Sequence, residues 1–432
     1  MPDRSLADWL ELLESRHSSE IELGLTRVAA VWSQLCLDQC SSADPKKPFT
    51  QSKVITVAGT NGKGSCIASL EAIILQHGYT VGTFSSPHFI HYNERITLQR
   101  KPVSDQKITH AFEAIEKARG EISLTYFEFG TLAALSIFQQ ESPDFILLEV
   151  GLGGRLDAVN IIDADIAVIT SIALDHQDWL GNTRTEIAHE KLGIARAMQP
   201  LVIGEQDYPE GFLSQIEQTA ANTYFLGRDF IIEEETEGFS VTLDPGANRE
   251  VVHGLQDTAI LRENKALAIQ ALAVAGVKLD PLLICKALNR VKLTGRRQEA
   301  HFQGISVILD VAHNPAAAGN LATYLDSIKG KKMAVASVLQ DKDWKGIVQE
   351  LKHQMDQWFV AEISDTERAT KGQSLLEVLY NATQPSQLYN SVEQAFYAAV
   401  KEAEQGDLVI VFGSFYTVAT VLGILKAEES GE

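Results

Sequence analysis

Apolar residues recur along this chain with two different periods, and the switching between them outlines its elements. Over residues 5–40, Leu6, Leu10, Leu13, Ile21, Leu25, Val28, Val31 and Leu35 keep helical spacing. The polar stretch 41–48 closes that region. Residues 54–58 form a short apolar run that predicts a buried strand, followed by a glycine-rich turn and a helix over 65–77. Residues 79–84 predict a second strand. Further apolar runs at 145–150, 166–170 and 200–204 are separated by helical stretches that include 128–140 and 185–197. Short strands alternating with helices of this length predict a mostly parallel sheet covered on both faces. Residues 224–253 differ. They alternate apolar and polar side chains and carry the turn signal Asp244-Pro245-Gly246, so a small antiparallel region is expected there. A helix over 258–275 follows. A second strand–helix series starts near residue 300, with predicted strands at 307–311, 333–338, 357–361 and 408–412. Residues 292–295 are the expected linker, giving two α/β domains, residues 1–295 and 296–432.

Composition narrows the function classes. Acidic side chains outnumber basic ones by 57 to 37, a formal net charge of -20. That argues against a nucleic-acid partner, whose phosphates need a basic face. A small anionic substrate stays compatible, because a pocket can be locally positive on an acidic protein. Cys36, Cys40, Cys66 and Cys285 make no CxxC pair and are too few for a disulfide framework. The N-terminal stretch is amphipathic and acidic, and no apolar run reaches membrane-crossing length. A cytoplasmic, monomeric enzyme with no membrane partner is expected.

The candidate chemistry sits where strands end. The turn after the 54–58 run reads Gly59-Thr60-Asn61-Gly62-Lys63-Gly64-Ser65. Strand, glycines, lysine, hydroxyl and helix together are what a phosphate cradle requires. Glycines let backbone N–H groups converge on phosphate oxygens. Lys63 can reach terminal phosphates, and Ser65 can help position a magnesium ion. Glu149 ends an apolar strand, where open α/β sheets place their ligands, and a carboxylate there needs a partner or a metal. Arg155 and Asp157 follow within a glycine-rich segment, and Asp175-His176 lies past the next strand. Glu149 suits magnesium, and His176 is a further possible ligand. A salt bridge from Glu149 to a lysine such as Lys191, and a capping or core role for His176, are the structural alternatives. In the second series, Asp310-Val311-Ala312-His313-Asn314-Pro315 could contact phosphate or ribose, or simply cap a helix through Asn314 with Pro315 at its first position. Gly413-Ser414-Phe415-Tyr416 likewise separates a strand from a helix and could bind an anion.

These motifs, with Ser85-Ser86-Pro87-His88, Leu124–Thr131, Leu148–Asp157, Glu190–Gly193 and Gly295-Arg296, resemble the bacterial bifunctional dihydrofolate synthase/folylpolyglutamate synthases, within the wider Mur ligase family. The resemblance implies a P-loop, mostly parallel ATPase-like domain followed by a smaller Rossmann-like α/β domain. It implies that ATP phosphorylates a substrate carboxylate and that L-glutamate attacks the acyl phosphate. The acceptors implied are 7,8-dihydropteroate and reduced folates. It carries over residue by residue. Gly59 to Ser65 match the ATP loop, and Asn264, Arg296 and Asp310 match nucleotide positions. Ser65, Ser86, Glu149 and His176 match magnesium positions. Lys63, Lys191, His176 and His313 match catalytic positions, with Lys191 carbamylated (N6-carboxylated). Phe127 and Asp157 match pterin-binding positions, while Arg155 and Ser414 are further substrate candidates. Core packing is the structural alternative for Phe127. The sequence departs from many relatives at Arg297, where they carry an aromatic or apolar residue, and at Phe412, where they often carry histidine or cysteine. Two other functions stay open on residues alone: a ligase acting on a UDP-muramyl precursor, and a non-catalytic P-loop nucleotide switch.

Overall fold

A computed structural model describes residues 4–16, 22–39, 44–243, 250–364, 366 and 368–430. The chain divides into two compact units, residues 1–172 with 183–291, and residues 173–182 with 292–432.

The larger unit is built on eight strands: β1 (Lys53–Ala58), β2 (Val81–Phe84), β3 (Ile96–Leu98), β4 (Lys101–Pro102), β5 (Phe145–Glu149), β6 (Ile166–Ile169), β7 (Pro200–Ile203) and β8 (Asn222–Phe225). Their order across the sheet is β4-β3-β2-β5-β1-β6-β7-β8. The pairs from β2 to β8 are parallel, and β3 pairs antiparallel with both of its neighbours. β1, β2, β5 and β6 are buried nearly throughout, which is why they read as unbroken apolar runs. A separate three-stranded antiparallel sheet, β9 (Phe230–Glu234), β10 (Phe239–Leu243) and β11 (Glu250–Leu255), answers the alternating segment. The Asp244-Pro245-Gly246 signal lies outside the described residues. Residues 224 and 225, at the start of that segment, belong to β8 of the large sheet instead.

Helices α1 (Leu6–Arg16), α2 (Thr26–Gln39), α3 (Lys63–Gln76), α4 (Asp105–Arg119), α5 (Tyr126–Glu141), α6 (Gln177–Leu180), α7 (Arg184–Leu192), α8 (Phe212–Thr219), α9 (Arg262–Val274) and α10 (Pro281–Leu288) run through this half of the sequence. The 5–40 pattern is two helices. α3 is apolar nearly all round and buried from Ser65 to Ile74. Fully burying Leu70, Ile73 or Ile74 contributes about 1.5–3 kcal/mol each. α5 starts at a capping box: Thr125 Oγ1 accepts from the Glu128 N–H at 3.1 Å, and the Thr125 N–H donates to Glu128 at 2.7 Å. α7 stops at Leu192, short of the predicted residue 197, and Gly193 caps it. α9 begins at Arg262, four residues later than the apolar spacing predicts.

The smaller unit holds a six-stranded sheet: β12 (Gln298–Phe302), β13 (Ile305–Leu309), β14 (Lys332–Ala336), β15 (Gln357–Ala361), β16 (Ser386–Tyr389) and β17 (Leu408–Phe412), in the order β12-β13-β17-β14-β15-β16. All pairs are parallel except β12 with β13. β12 and β16 escape the apolar pattern because they are edge strands with exposed polar positions. Helices α11 (Pro315–Leu325), α12 (Trp344–Leu351), α13 (Gly372–Asn381), α14 (Val392–Glu402) and α15 (Phe415–Ser430) complete the unit. Residues 173–182 follow β6 in sequence yet group here, because Asp175 is bonded to Asn314 and Lys342. No helix among the described residues is long and apolar enough to cross a membrane.

Candidate active site

Parallel pairing sets Glu149 of β5 level with Val57 of β1, two residues before Gly59. The turn from Gly59 to Ser65 thus opens at the same sheet edge as Glu149. It is braced from β6: the Thr60 N–H donates to the Ser171 carbonyl at 2.8 Å, the Asn61 N–H to Ser171 Oγ at 3.0 Å, and Thr170 Oγ1 to the Asn61 carbonyl at 2.6 Å. Gly62 has φ 88°, a left-handed conformation that glycine takes without strain. A Cβ there would fall 2.5 Å from Asn264 Oδ1, so α9 closes directly on the turn. A Cβ on Gly59 would overlap Thr170 Oγ1. Gly62 is the N-cap of α3 and offers no capping side chain for the Gly64 and Ser65 N–H groups. Lys63 arches back over the turn, donating from Nζ to the Gly59 carbonyl at 2.9 Å and the Thr60 carbonyl at 3.2 Å.

Ser86 stands beside Glu149: its N–H donates to Glu149 Oε2 at 3.3 Å. Glu149 is only 6% exposed. The oxygen donors here, from a carboxylate and hydroxyls, suit a hard cation. Phe127, in the first turn of α5, is half-buried rather than a core residue, with its ring 5.8 Å from that of Phe84. A Cβ on Gly151 would lie 2.7 Å from the Phe127 ring and 3.3 Å from Asp157 Oδ2, so the missing side chain keeps space between ring and carboxylate. Asp157 accepts N–H bonds from Gly151 at 3.0 Å, Leu152 at 2.9 Å and Val159 at 3.0 Å. Burial pushes its carboxyl up to about 6, against the pull of those N–H groups and of the Lys63 charge. Lys191 is 2% exposed on α7. Its neighbour Glu190 takes two bonds from the Arg155 guanidinium, at 3.1 and 2.8 Å. Arg155 therefore braces the end of α7.

The smaller unit gathers the other candidates at the carboxyl ends of its strands. His176 has φ 51°, an uncommon conformation for a side chain of its size. It stands at the N-cap of α6 without a side-chain capping bond, so the capping alternative fails. Its ring faces Lys342 Nζ at 3.2 Å from Nε2 and Asp341 Oδ2 at 3.6 Å from Nδ1. Burial and the neighbouring ammonium hold the imidazole neutral, so Nε2 can accept. Lys342 Nζ also lies 2.6 Å from Asp175 and 3.1 Å from Asp341. Asp175 takes Asn314 Nδ2 at 3.0 Å and faces His313 Nε2 at 3.3 Å. Burial pushes the Asp175 carboxyl up, but the His313, Lys342 and His176 contacts outweigh it and hold it far below the usual range. Asn314 caps α11 as well, accepting from the Ala317 N–H at 2.9 Å, with Pro315 at the first position. Asp310 accepts N–H bonds from Arg297 at 2.9 Å and Ala312 at 2.8 Å, and Arg296 lies over the Phe415 ring at 5.3 Å. Arg297 stacks on Tyr324 at 4.9 Å, which gives this departure from the family pattern a packing role. Phe412 is buried against Trp358, ring centroids 5.9 Å apart. Ser414 Oγ accepts from the Thr417 N–H at 3.0 Å and meets Thr417 Oγ1 at 2.7 Å. That hydroxyl serves the start of α15.

The Mur ligase middle domain matches residues 57–229, and the Mur ligase glutamate ligase domain matches residues 292–415. The dihydrofolate synthase/folylpolyglutamate synthase of Escherichia coli is 41% identical, over 99% of this chain and 97% of its own length. The chain belongs to the dihydrofolate synthase/folylpolyglutamate synthase branch of the Mur ligases. The Haemophilus influenzae enzyme of that name is 38% identical over 98% of both chains. Among solved structures, E. coli FolC in complex with DHPP and ADP superposes with a TM-score of 0.91 at 39% identity, covering 99% of each chain. The Yersinia pestis bifunctional enzyme complexed with AMPPNP and a manganese ion gives 0.88 at 41% identity, covering 98% of each. Membership in this ligase family is consistent with both sheets and with the glycine-rich turn that follows β1.

Sequence reasoning missed several members of these clusters. Asp310 directly follows β13, but Asp341 and Lys342 come only in the loop well after β14 ends at Ala336, so the rule that flagged Asp310 does not single them out. Thr170 and Ser171, after β6, do carry that signal. Nothing in the sequence around Glu94 marks it.

Proposed function

We propose that this ligase uses ATP to join L-glutamate to 7,8-dihydropteroate, giving dihydrofolate, and to add further glutamates to reduced folates through the γ-carboxyl. The observation that carries this reading is the full-length likeness to enzymes named for both activities. A free carboxylate is a poor acyl donor. Its oxygen therefore attacks the terminal phosphorus of ATP, ADP leaves, and an acyl phosphate forms. The glutamate nitrogen then attacks the acyl carbon, the carbon–oxygen bond breaks, phosphate departs and the amine gives up a proton.

The chain's own residues fit that chemistry. The Gly64 and Ser65 N–H groups and the Lys63 ammonium hold the phosphates, at the positive end of α3. Ser65, Ser86 and Glu149 offer the oxygens for magnesium, and a carbamate on Lys191 would add a further donor. Bound there, the ion supplies charge neutralisation for the transferring phosphoryl group. Phe127 and Asp157 bind the pterin by ring contact and by an acceptor carboxylate. Each unit carries nucleotide positions of its own, Asn264 in the larger and Arg296 and Asp310 in the smaller, where His313 serves the phosphates or the incoming amine. Arg155 supports these groups through Glu190. The working form is a cytoplasmic monomer.

The test is phosphate release with ATP, magnesium and L-glutamate, comparing dihydropteroate, a reduced folate and a UDP-muramyl precursor as acceptors. Release with the first two is expected. Release with the muramyl precursor alone, or nucleotide binding without glutamate-dependent release, overturns the reading.

A further inference from the structure

Ser86 lies on the segment 85–91 between β2 and a short turn, Tyr92–Arg95, that leads into β3. The turn grips that segment along its length. One carboxylate, Glu94, accepts three consecutive backbone N–H groups: Phe89 at 2.8 Å on Oε2, and Ile90 at 3.1 Å and His91 at 2.8 Å on Oε1. The Ser85 N–H donates to the Arg95 carbonyl at 2.9 Å, and Arg95 Nε donates to His88 Nδ1 at 2.8 Å. The Arg95 guanidinium is held in turn over two rings, Tyr92 at 5.5 Å and Tyr126 at 5.4 Å. Tyr92 is buried and packs edge-on against His88, Phe112 and Tyr126. The segment is thus fixed before, beyond and between its ends, and its fixed portion includes the N–H that Ser86 gives to Glu149.

We propose that Glu94 and Arg95 are positioning residues that hold the 85–91 segment so that Ser86 and Glu149 present their oxygens together to the cation. The proposal rests on the reading of Ser86 and Glu149 as magnesium-binding positions. Glu94 acts through the backbone N–H groups of the segment, and Arg95 through the His88 side chain and its own carbonyl. A carboxylate is needed because both of its oxygens accept. In Glu94→Gln one oxygen becomes an N–H donor, which must face either the Phe89 N–H or the Ile90 and His91 pair. Loss of an outer-shell partner of this kind weakens metal binding while leaving the ligands in place.

The experiment compares the wild type with Glu94→Gln, Glu94→Asp and Arg95→Lys. The magnesium concentration for half-maximal phosphate release is expected to rise about tenfold in Glu94→Gln. It should rise less in Glu94→Asp, which keeps both oxygens on a shorter stem. Arg95→Lys keeps the charge but loses the Nε donor and should fall between wild type and Glu94→Gln. Hydrogen exchange of the Phe89, Ile90 and His91 amides, measured without nucleotide or metal, should speed up in Glu94→Gln while the β1 and β5 amides stay protected. An unchanged magnesium dependence in an active Glu94→Gln enzyme overturns the proposal, as does unchanged exchange at those three amides. If Glu94→Gln does not fold, an unchanged magnesium dependence in Arg95→Lys overturns it instead. A wild type without glutamate-dependent phosphate release fails the functional reading, and that result is separate from the exchange result.

Discussion

The 59–65 turn and the Asp175–Lys342 cluster solve the same problem, holding polar groups at the end of a sheet, with opposite materials. The turn is made of backbone, two conformationally special glycines and the neutral hydroxyls of Thr170 and Ser171, just after β6. The cluster is made of charges drawn from the segments 173–182, 310–315 and 339–343. A backbone cradle is preorganised by local geometry and carries one charge, Lys63, tied back to the carbonyls of Gly59 and Thr60. A charge cluster is preorganised only when every member is present, because each buried ion depends on its counterions. The two should therefore fail differently: the turn by losing chemistry, the cluster by losing fold.

Lys63→Ala breaks the first half of that comparison most sharply. It should lower ATP-dependent phosphate release by about 10³-fold with both acceptors while leaving the thermal unfolding midpoint nearly unchanged. Lys342→Met tests the second half. It leaves Asp175 and Asp341 without the ammonium between them and should destabilise the protein by about 3 kcal/mol. In a unit of this size that lowers the midpoint by about 6–12 °C, readable by calorimetry. An equal midpoint in Lys342→Met and wild type would erase the contrast.

Asp157 gives a smaller, pH-dependent effect. Its folded carboxyl titrates near 6, above the unfolded value, because burial favours the neutral form. Its contribution to stability is therefore present at acid pH and is lost as pH rises through about 6. If Asp157 accepts from the pterin as proposed, binding has the opposite dependence, since the acceptor form is the carboxylate. The KM for dihydropteroate should fall as pH rises from 5 to 7, and Asp157→Asn should flatten that profile and raise KM by about tenfold. The smallest change is expected at Ser414. Because its hydroxyl caps α15, Ser414→Ala should cost about 1 kcal/mol in chemical denaturation and leave the KM for glutamate within about twofold.

The same contrast explains what was legible beforehand. The turn is contiguous, so residues 59–65 announce it. Apolar runs announce the central strands, β5 and β17 most clearly, because both of their faces are covered. β12 and β16 were invisible because an edge strand with exposed polar positions carries no such run. The cluster was half visible: Asp175, His176, His313 and Asn314 stand out after strands, but the pairing of Asp175 and His176 with Lys342 depends on folding across more than 160 positions. The Glu94 clamp was not visible, since a carboxylate that binds backbone leaves no pattern in its partners' side chains.

The excursion of residues 173–182 makes the chain pass between its compact units three times, after Ile172, Asn182 and Val291. The smaller unit is consequently not a cassette. A gene fragment starting at Lys292 encodes its whole sheet but omits Asp175, leaving Lys342 with Asp341 and no second counterion. Recombination at that single junction would graft a unit lacking a piece of its own interior. Exchange between relatives must carry two stretches of sequence together, so the two halves of this ligase are expected to be inherited as one.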